Sequence, residues 1–172
     1  GRALDAPAEH AYPLDDLLGL SLLVQGTACN WTGEFLRGGR DLRRAYGAFA
    51  RGSVSERRLA SVELVEAQRR AFLDRAEEAL HLAERARGTF RALGLEDEAA
   101  KAGAAHAIAL SYLDRDEEAL AEFRTLLPVL AGYERWNTYV STLNGIGVCL
   151  LRLSRPDEAR RHVLTAPAVI KL

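Results

Sequence analysis

Apolar positions along this chain keep helical spacing, and no segment alternates apolar and polar residues long enough to make a strand. Ala119 is followed four residues later by Phe123, and Ala159 by Val163, the interval that stacks two side chains on one helix face. With Gly and Pro as punctuation, eight helices are predicted, at about 14–36, 40–51, 54–73, 75–92, 96–113, 115–131, 133–153 and 156–168. Residues 1–13 carry Pro7 and Pro13 without periodicity and are expected to be a leader or linker, leaving 14–172 as one helical domain.

The helices come in pairs, because the pattern repeats. FLDRAEEAL at 72–80 returns forty residues on as YLDRDEEAL at 112–120, identical at seven of nine positions, and RLSRPDEAR at 152–160 is a looser third copy. A fixed helical-hairpin period marks a solenoid, whose units bury their apolar faces only against neighbours. Aligned copies put Ala79, Ala119 and Ala159 at one place, with Ala67, Ala107 and Gly147 twelve residues earlier. Small side chains at both places let the two helices of a hairpin cross closely. A weaker upstream copy, FLRGGRDLRRAYGAF at 35–49, is set against 112–126. That alignment puts Tyr46 opposite Phe123, Leu42 opposite Ala119, and a turn at Gly38 and Gly39.

Turn chemistry follows the repeat. Asp74, Asp114 and Ser154 each stand three residues before an acid (Glu77, Glu117, Asp157), the spacing of a helix N-cap and its N3 partner. Ser53 and Glu56 show the same pattern, and Gly94 and Gly132 are expected to close helices.

Small–small–aromatic spacing of this kind resembles the tetratricopeptide repeat. The last unit fits that family's pattern through Ile146, Gly147, Leu150, Ser154, Glu158, Ala159, Val163 and Ala166. The third fits through His106, Ala107, Leu110, Asp114, Glu118, Ala119 and Phe123. The resemblance covers roughly residues 14–168, but the period is forty rather than about thirty-four, and the proline between repeats is missing except at Pro167. Long-helix variants of this sort resemble the repeats attached to bacterial transcription regulators, anti-sigma-like proteins and peptide-sensing regulators. The resemblance implies an all-α fold, a right-handed superhelix (an α-solenoid) of about four antiparallel helix-turn-helix hairpins. It also implies that the first helix of each hairpin lines a concave groove where ligands lie.

Carried over position by position, that groove takes Thr27, Trp31 and Glu34 from the first hairpin, and Ser61, Val65 and Gln68 from the second. The third supplies Lys101, Ala105, Ile108 and Tyr112; the fourth supplies Ser141, Asn144, Val148 and Arg152, with Asn137 at its extended end. Trp31 is either a flat anchor for a partner or core packing against the next hairpin. Asn144 either hydrogen-bonds a peptide backbone or serves helix packing. Lys101 and Arg152 in one groove favour a carboxylate or an acidic segment.

Composition narrows the classes further. A formal net charge of −1 gives no whole-molecule field for nucleic acid or an anionic membrane. Cys29 and Cys149 lie in apolar segments far apart in the chain and read as reduced buried thiols. No apolar run approaches the ~18 residues of a membrane span and no signal-peptide pattern appears, so the cytoplasm is the expected compartment. Twenty-one arginines against two lysines suggest a high-GC bacterial genome, and a Gly-Arg start without methionine suggests a piece of a longer polypeptide. His10, His81, His106 and His162 have no second ligand at helical spacing, and no CxxC, Walker loop or GxGxxG is present. No catalytic, metal-binding or cofactor-binding residue is predicted, and the chain is expected not to be an enzyme.

Two surfaces remain. Residues 36–58 carry Arg37, Arg40, Arg43, Arg44, Arg51, Arg57 and Arg58 against two acids, read as a solvated helix face or as a contact for phosphates or an acidic partner. After Leu164 the chain runs TAPAVIKL, an apolar end that further helices, a homodimer or a neighbouring domain would cover. The expected partner is a protein or peptide segment rather than a membrane or nucleic acid, bound by a scaffold within a regulatory or signalling protein. A ligand-sensing domain for a small peptide or metabolite, switching an attached effector, is the alternative; a nucleic-acid-binding repeat is the second.

Overall fold

The structure, a computed structural model, describes residues 14–52, 55–132 and 136–165. These form eight helices: α1 (Leu14–Thr32), α2 (Phe35–Arg51), α3 (Glu56–Phe72), α4 (Ala76–Ala92), α5 (Glu96–Tyr112), α6 (Asp116–Gly132), α7 (Trp136–Arg152) and α8 (Pro156–Thr165). No strand occurs among the described residues. The described residues make an all-α stack of four hairpins, α1–α2, α3–α4, α5–α6 and α7–α8, each packed on the next.

The first hairpin corrects the sequence reading. Its turn is at Gly33 and Glu34, with Gly33 in the left-handed region at φ +78°, rather than at Gly38 and Gly39. Those two glycines lie buried inside α2. A Cβ on Gly38 would stand 3.0 Å from the Cβ of Cys29, and one on Gly39 would stand 3.0 Å from the guanidinium carbon of Arg69. They permit close helix packing; they do not turn the chain.

Register shifts with the turn. Gly33, Asp74, Asp114 and Ser154 all have positive φ and mark equivalent points, separated by 41, 40 and 40 residues. Gly38 therefore stands at the place of Ala79, Ala119 and Ala159, and Leu42 at the place of Phe123. Both are buried, whereas Tyr46, the residue set opposite Phe123, is 44% exposed. The expected alignment was four residues out. Such a slip nearly preserves a stripe of period 3.6, so hydrophobic spacing alone does not detect it.

Asp74, Asp114 and Ser154 are not N-caps. At φ +57°, +58° and +56° they end the preceding helix, a conformation Asp tolerates better than most residues. The next amide then closes six-to-one on the helix: Arg75 N–H donates to the Arg70 carbonyl at 3.0 Å, Arg115 to Leu110 at 3.0 Å, and Arg155 to Leu150 at 2.8 Å. Each of those arginines folds forward onto the acid three residues on. Arg75 donates to Glu78 at 2.6 Å, Arg115 to Glu118 at 2.8 and 2.7 Å, and Arg155 to Glu158 at 2.6 and 2.8 Å. The repeated turn device is thus Arg-x-x-Glu. Before α3 the N-cap is Ser55, without a side-chain capping bond, and Ser53 lies outside the described residues. Gly94, at φ +69°, follows the end of α4 as expected.

Packing is built from alanine against aromatic. Ala60, Leu64 and Ala67 of α3 meet Ala83, Ala86 and Phe90 of α4 and Ala99, Ala102 and Ala105 of α5. Phe123 sits with Ala107, Ile146 and Cys149 in the next layer. The odd-numbered helices touch one another across hairpins, while among the described residues no backbone contact joins α2 to α4, α4 to α6 or α6 to α8. Inner helices packed closer than outer ones bend the stack, so α1, α3, α5 and α7 line its inner wall.

Cys29 and Cys149 are both buried and unbridged. No helix among the described residues is long and apolar enough to cross a membrane. The expected leader at 1–13, and the apolar tail from Ala166 with the homodimer contact expected of it, lie outside the described residues.

Candidate functional site

Two hollows open on the inner wall. The larger, about 300 Å³, lies between the C-terminal halves of α5 and α7; Phe123 and Gly145 form its floor, and Phe72, Tyr112, Asn144, Val148 and Arg152 stand around it. Gly145 makes that floor: a Cβ there would lie 2.6 Å from the Phe123 ring, so α6 and α7 meet here only because it is absent. The smaller, about 90 Å³, is bounded by Trp31, Gln68, Lys101, Ile108, Asn137 and Ser141. Ile108 and Ser141 border both, which makes one wall running from α1 to α7.

Six of the seven principal predicted groove residues meet there: Trp31, Gln68, Lys101, Tyr112, Asn144 and Arg152. Trp31 does not pack into the core; it is 74% exposed. Glu34 lies apart, because α1 ends at Thr32 and Glu34 belongs to the turn. It precedes α2, and its carboxylate accepts from Arg37 at 3.2 Å and from Thr32 at 3.3 Å.

The two cations are already engaged. Lys101 Nζ donates to Glu98 at 2.8 Å. Arg152 Nη1 donates to the Ser111 carbonyl at 2.5 Å and lies 3.5 Å from Asp116 and 3.7 Å from Asp114. Arg152 therefore ties α7 to the end of α5, and the wall offers neutral amides, hydroxyls and aromatic faces rather than free positive charge. Beneath it, Cys149 is no activated nucleophile: burial pushes its thiol pKa up, against a hydrogen bond from Ser111 that lowers it. Among the described residues no three His, Cys, Asp or Glu side chains gather as metal ligands would.

Sequence reasoning missed Phe72, half-exposed at the rim and stacked on Phe35 with ring centroids 5.9 Å apart. The repeat carried the signal, since Phe72 and Tyr112 open its two best copies. It also missed Leu20 and Val24, exposed on the face of α1 that carries Trp31.

No family model matches this sequence, and no curated protein matches it. Among solved structures the chain is similar to a TPR-like protein from Chlorobium tepidum, with a TM-score of 0.66 and 20% identity over 82% of this chain and 95% of that one. A likeness at that identity concerns the fold: this is a TPR-like arrangement of helical hairpins.

Proposed function

We propose that this chain is a scaffold that binds an extended protein or peptide segment along the wall of α1, α3, α5 and α7, within a bacterial regulatory or signalling protein. The observation that carries the reading is the exposure of three large rings on one inner surface: Trp31 at 74%, Phe72 at 56% and Tyr112 at 46%. Rigid rings of this kind lose little conformational entropy on contact and are the usual anchors of protein interfaces. Between them Gln68, Asn137, Ser141 and Asn144 present both donors and acceptors, which suits a peptide backbone. With Lys101 and Arg152 paired, selectivity for an acidic segment is not part of this proposal; an uncharged segment with one apolar side chain in the 300 Å³ hollow fits better. The bacterial and regulatory context rests on the long-helix resemblance and the arginine-rich composition.

Selection from a random displayed-peptide library tests this directly. Enriched peptides should lose binding to Trp31→Ala and Asn144→Ala protein while both variants melt with the parent. Failure to enrich any peptide, or peptides indifferent to both changes, would contradict the proposal. A ligand-sensing role is the second reading, because the hollow falls at the lower end of small-molecule pocket sizes, about 300–1,000 Å³. Compaction of the stack on adding a small ligand would favour it. The nucleic-acid reading is weakened by the arginines themselves: five of the seven in 36–58 (Arg37, Arg44, Arg51, Arg57, Arg58) already face Glu34, Asp41, Asp15, Glu98 or Asp16.

A further inference from the structure

The α1 end of the stack differs from every later junction. In the interior, each odd-numbered helix is covered by the even-numbered helix before it: Leu59 and Val62 of α3 pack on Leu42, Ala45 and Phe49 of α2, and Tyr139 of α7 packs on Leu126 and Leu130 of α6. With the 41-residue step, Leu59 corresponds to Leu18 and Val62 to Ser21, so the equivalent face of α1 has no preceding helix among the described residues. Leu18 is exposed there, as are Leu14 and Leu17 nearby. No charged residue occurs between Leu17 and Gly33.

Beside that face runs a groove of about 590 Å³ between α1 and α2, with Leu18 and Leu22 on its floor and Arg40, Arg43, Arg44 and Arg51 along one side. Arg44 lies 3.7 Å from Asp41, and Arg51 donates to Asp15 at 3.0 Å. Arg40 and Arg43 make no hydrogen bond or ion pair among the described residues. From Arg40 to Arg51 the arginine row covers three helical turns, roughly 16 Å at 1.5 Å per residue. The interior shows how this fold joins successive outer helices: Arg87 of α4 donates to Glu122 of α6 at 2.5 Å, and Arg124 of α6 to Glu158 of α8 at 3.3 Å. Outer helix meets outer helix through arginine and glutamate, the arginine on the earlier helix in both cases; at the α1 end the roles are exchanged, because α2, the later helix, supplies the arginines.

We infer that this end of the stack is a second docking surface, separate from the inner wall, and that its occupant is an amphipathic helix carrying aliphatic residues on one face and glutamate or aspartate on the flank. Such a helix takes the place that α2 takes on α3, sets its apolar face on the exposed Leu18, beneath which Leu22 is buried, and presents its acids to Arg40 and Arg43. A phosphate backbone would leave the leucine floor unsatisfied. A bilayer surface, broad and flat on this scale, cannot enter a groove sunk between two helices.

The test uses two synthetic helical peptides of about 20 residues, one with a leucine face flanked by glutamate and a twin with lysine in place of each glutamate. Fluorescence anisotropy against the whole chain is expected to show that the glutamate peptide binds and the lysine twin does not. The Arg40→Glu/Arg43→Glu double variant, whose melting should match the parent because both side chains are solvated, is expected to weaken the glutamate peptide by about tenfold or more and to accept the twin. Should the double variant not fold, Leu18→Gln is expected to weaken the same peptide without reversing charge preference. The inference is overturned if the two peptides bind alike, or if neither substitution changes binding. It is equally overturned if the arginines are instead needed for binding RNA, for binding phosphatidylglycerol vesicles, or for self-association of the chain.

Discussion

Asp114 shows how much a single residue can be asked to do at a hairpin tip. Its φ of +58° is tolerable for Asp and costly for a β-branched side chain, so Asp114→Val should lower unfolding free energy by about 1–2 kcal/mol, while Asp114→Gly should be neutral or slightly stabilising. Thermal melts of the two variants check this. Ala119 poses the complementary constraint. It has no accessible surface, and leucine there should cost about 1–3 kcal/mol through overpacking at the helix crossing, measured by urea denaturation. The alanines were legible in the sequence because small residues recurring at one place of a repeat mark a close helix crossing. The aspartates were visible but misassigned, since an Asp three residues before an acid suits both an N-cap and a left-handed helix end. Spacing does not reveal φ.

At the scale of elements, the junction between α2 and α3 depends on charge as well as on apolar contact. Arg69 is buried, donates to both oxygens of Glu66 at 2.7 and 2.6 Å, and reaches the Phe35 carbonyl of α2 at 3.4 Å. Arg70 also donates to Glu66, at 2.8 Å, and pairs with Glu78 of α4. Burial opposes ionisation of Glu66, but the hydrogen bonds from Arg69 and Arg70 together outweigh it and hold the carboxyl below its ordinary value of 4.5. A lowered folded-state pKa means that this contribution to stability is present above pH 4.5 and is lost as pH falls through the folded value. The chain should therefore lose stability in acid below that pH, and Glu66→Gln should be less stable at pH 7 with a flatter acid slope; melts recorded from neutral pH down into acid decide it. None of this was legible in the sequence, because the Gly39 gap that admits Arg69 belongs to a helix whose register the repeat alignment misplaces by four residues. The later hairpins were read correctly to within a few residues, since their copies share both length and turn.

Across the whole molecule, a closer-packed inner row of helices leaves a wall whose chemistry is aromatic and amide rather than charged. Trp31, Gln68, Tyr112 and Asn144 were set on it by the tetratricopeptide resemblance and border its two hollows, Trp31 despite the four-residue slip, because a shift of about one turn keeps the helix face. What position could not show is that Arg152 is paired with Asp114 and Asp116, acids that only the fold brings near, whereas Glu98, three residues before Lys101 on α5, is a local partner. Trp31→Ala should leave melting unchanged, given the exposure of that ring, yet weaken any segment held by the wall. The most direct measurement is an NMR titration of isotope-labelled chain with a library-selected peptide, following the Trp31 indole N–H and the side-chain amides of Gln68 and Asn144. The account predicts that these three signals shift together and saturate at one common affinity. Signals that stay fixed while residues on the outer helices α2, α4 and α6 respond would contradict it.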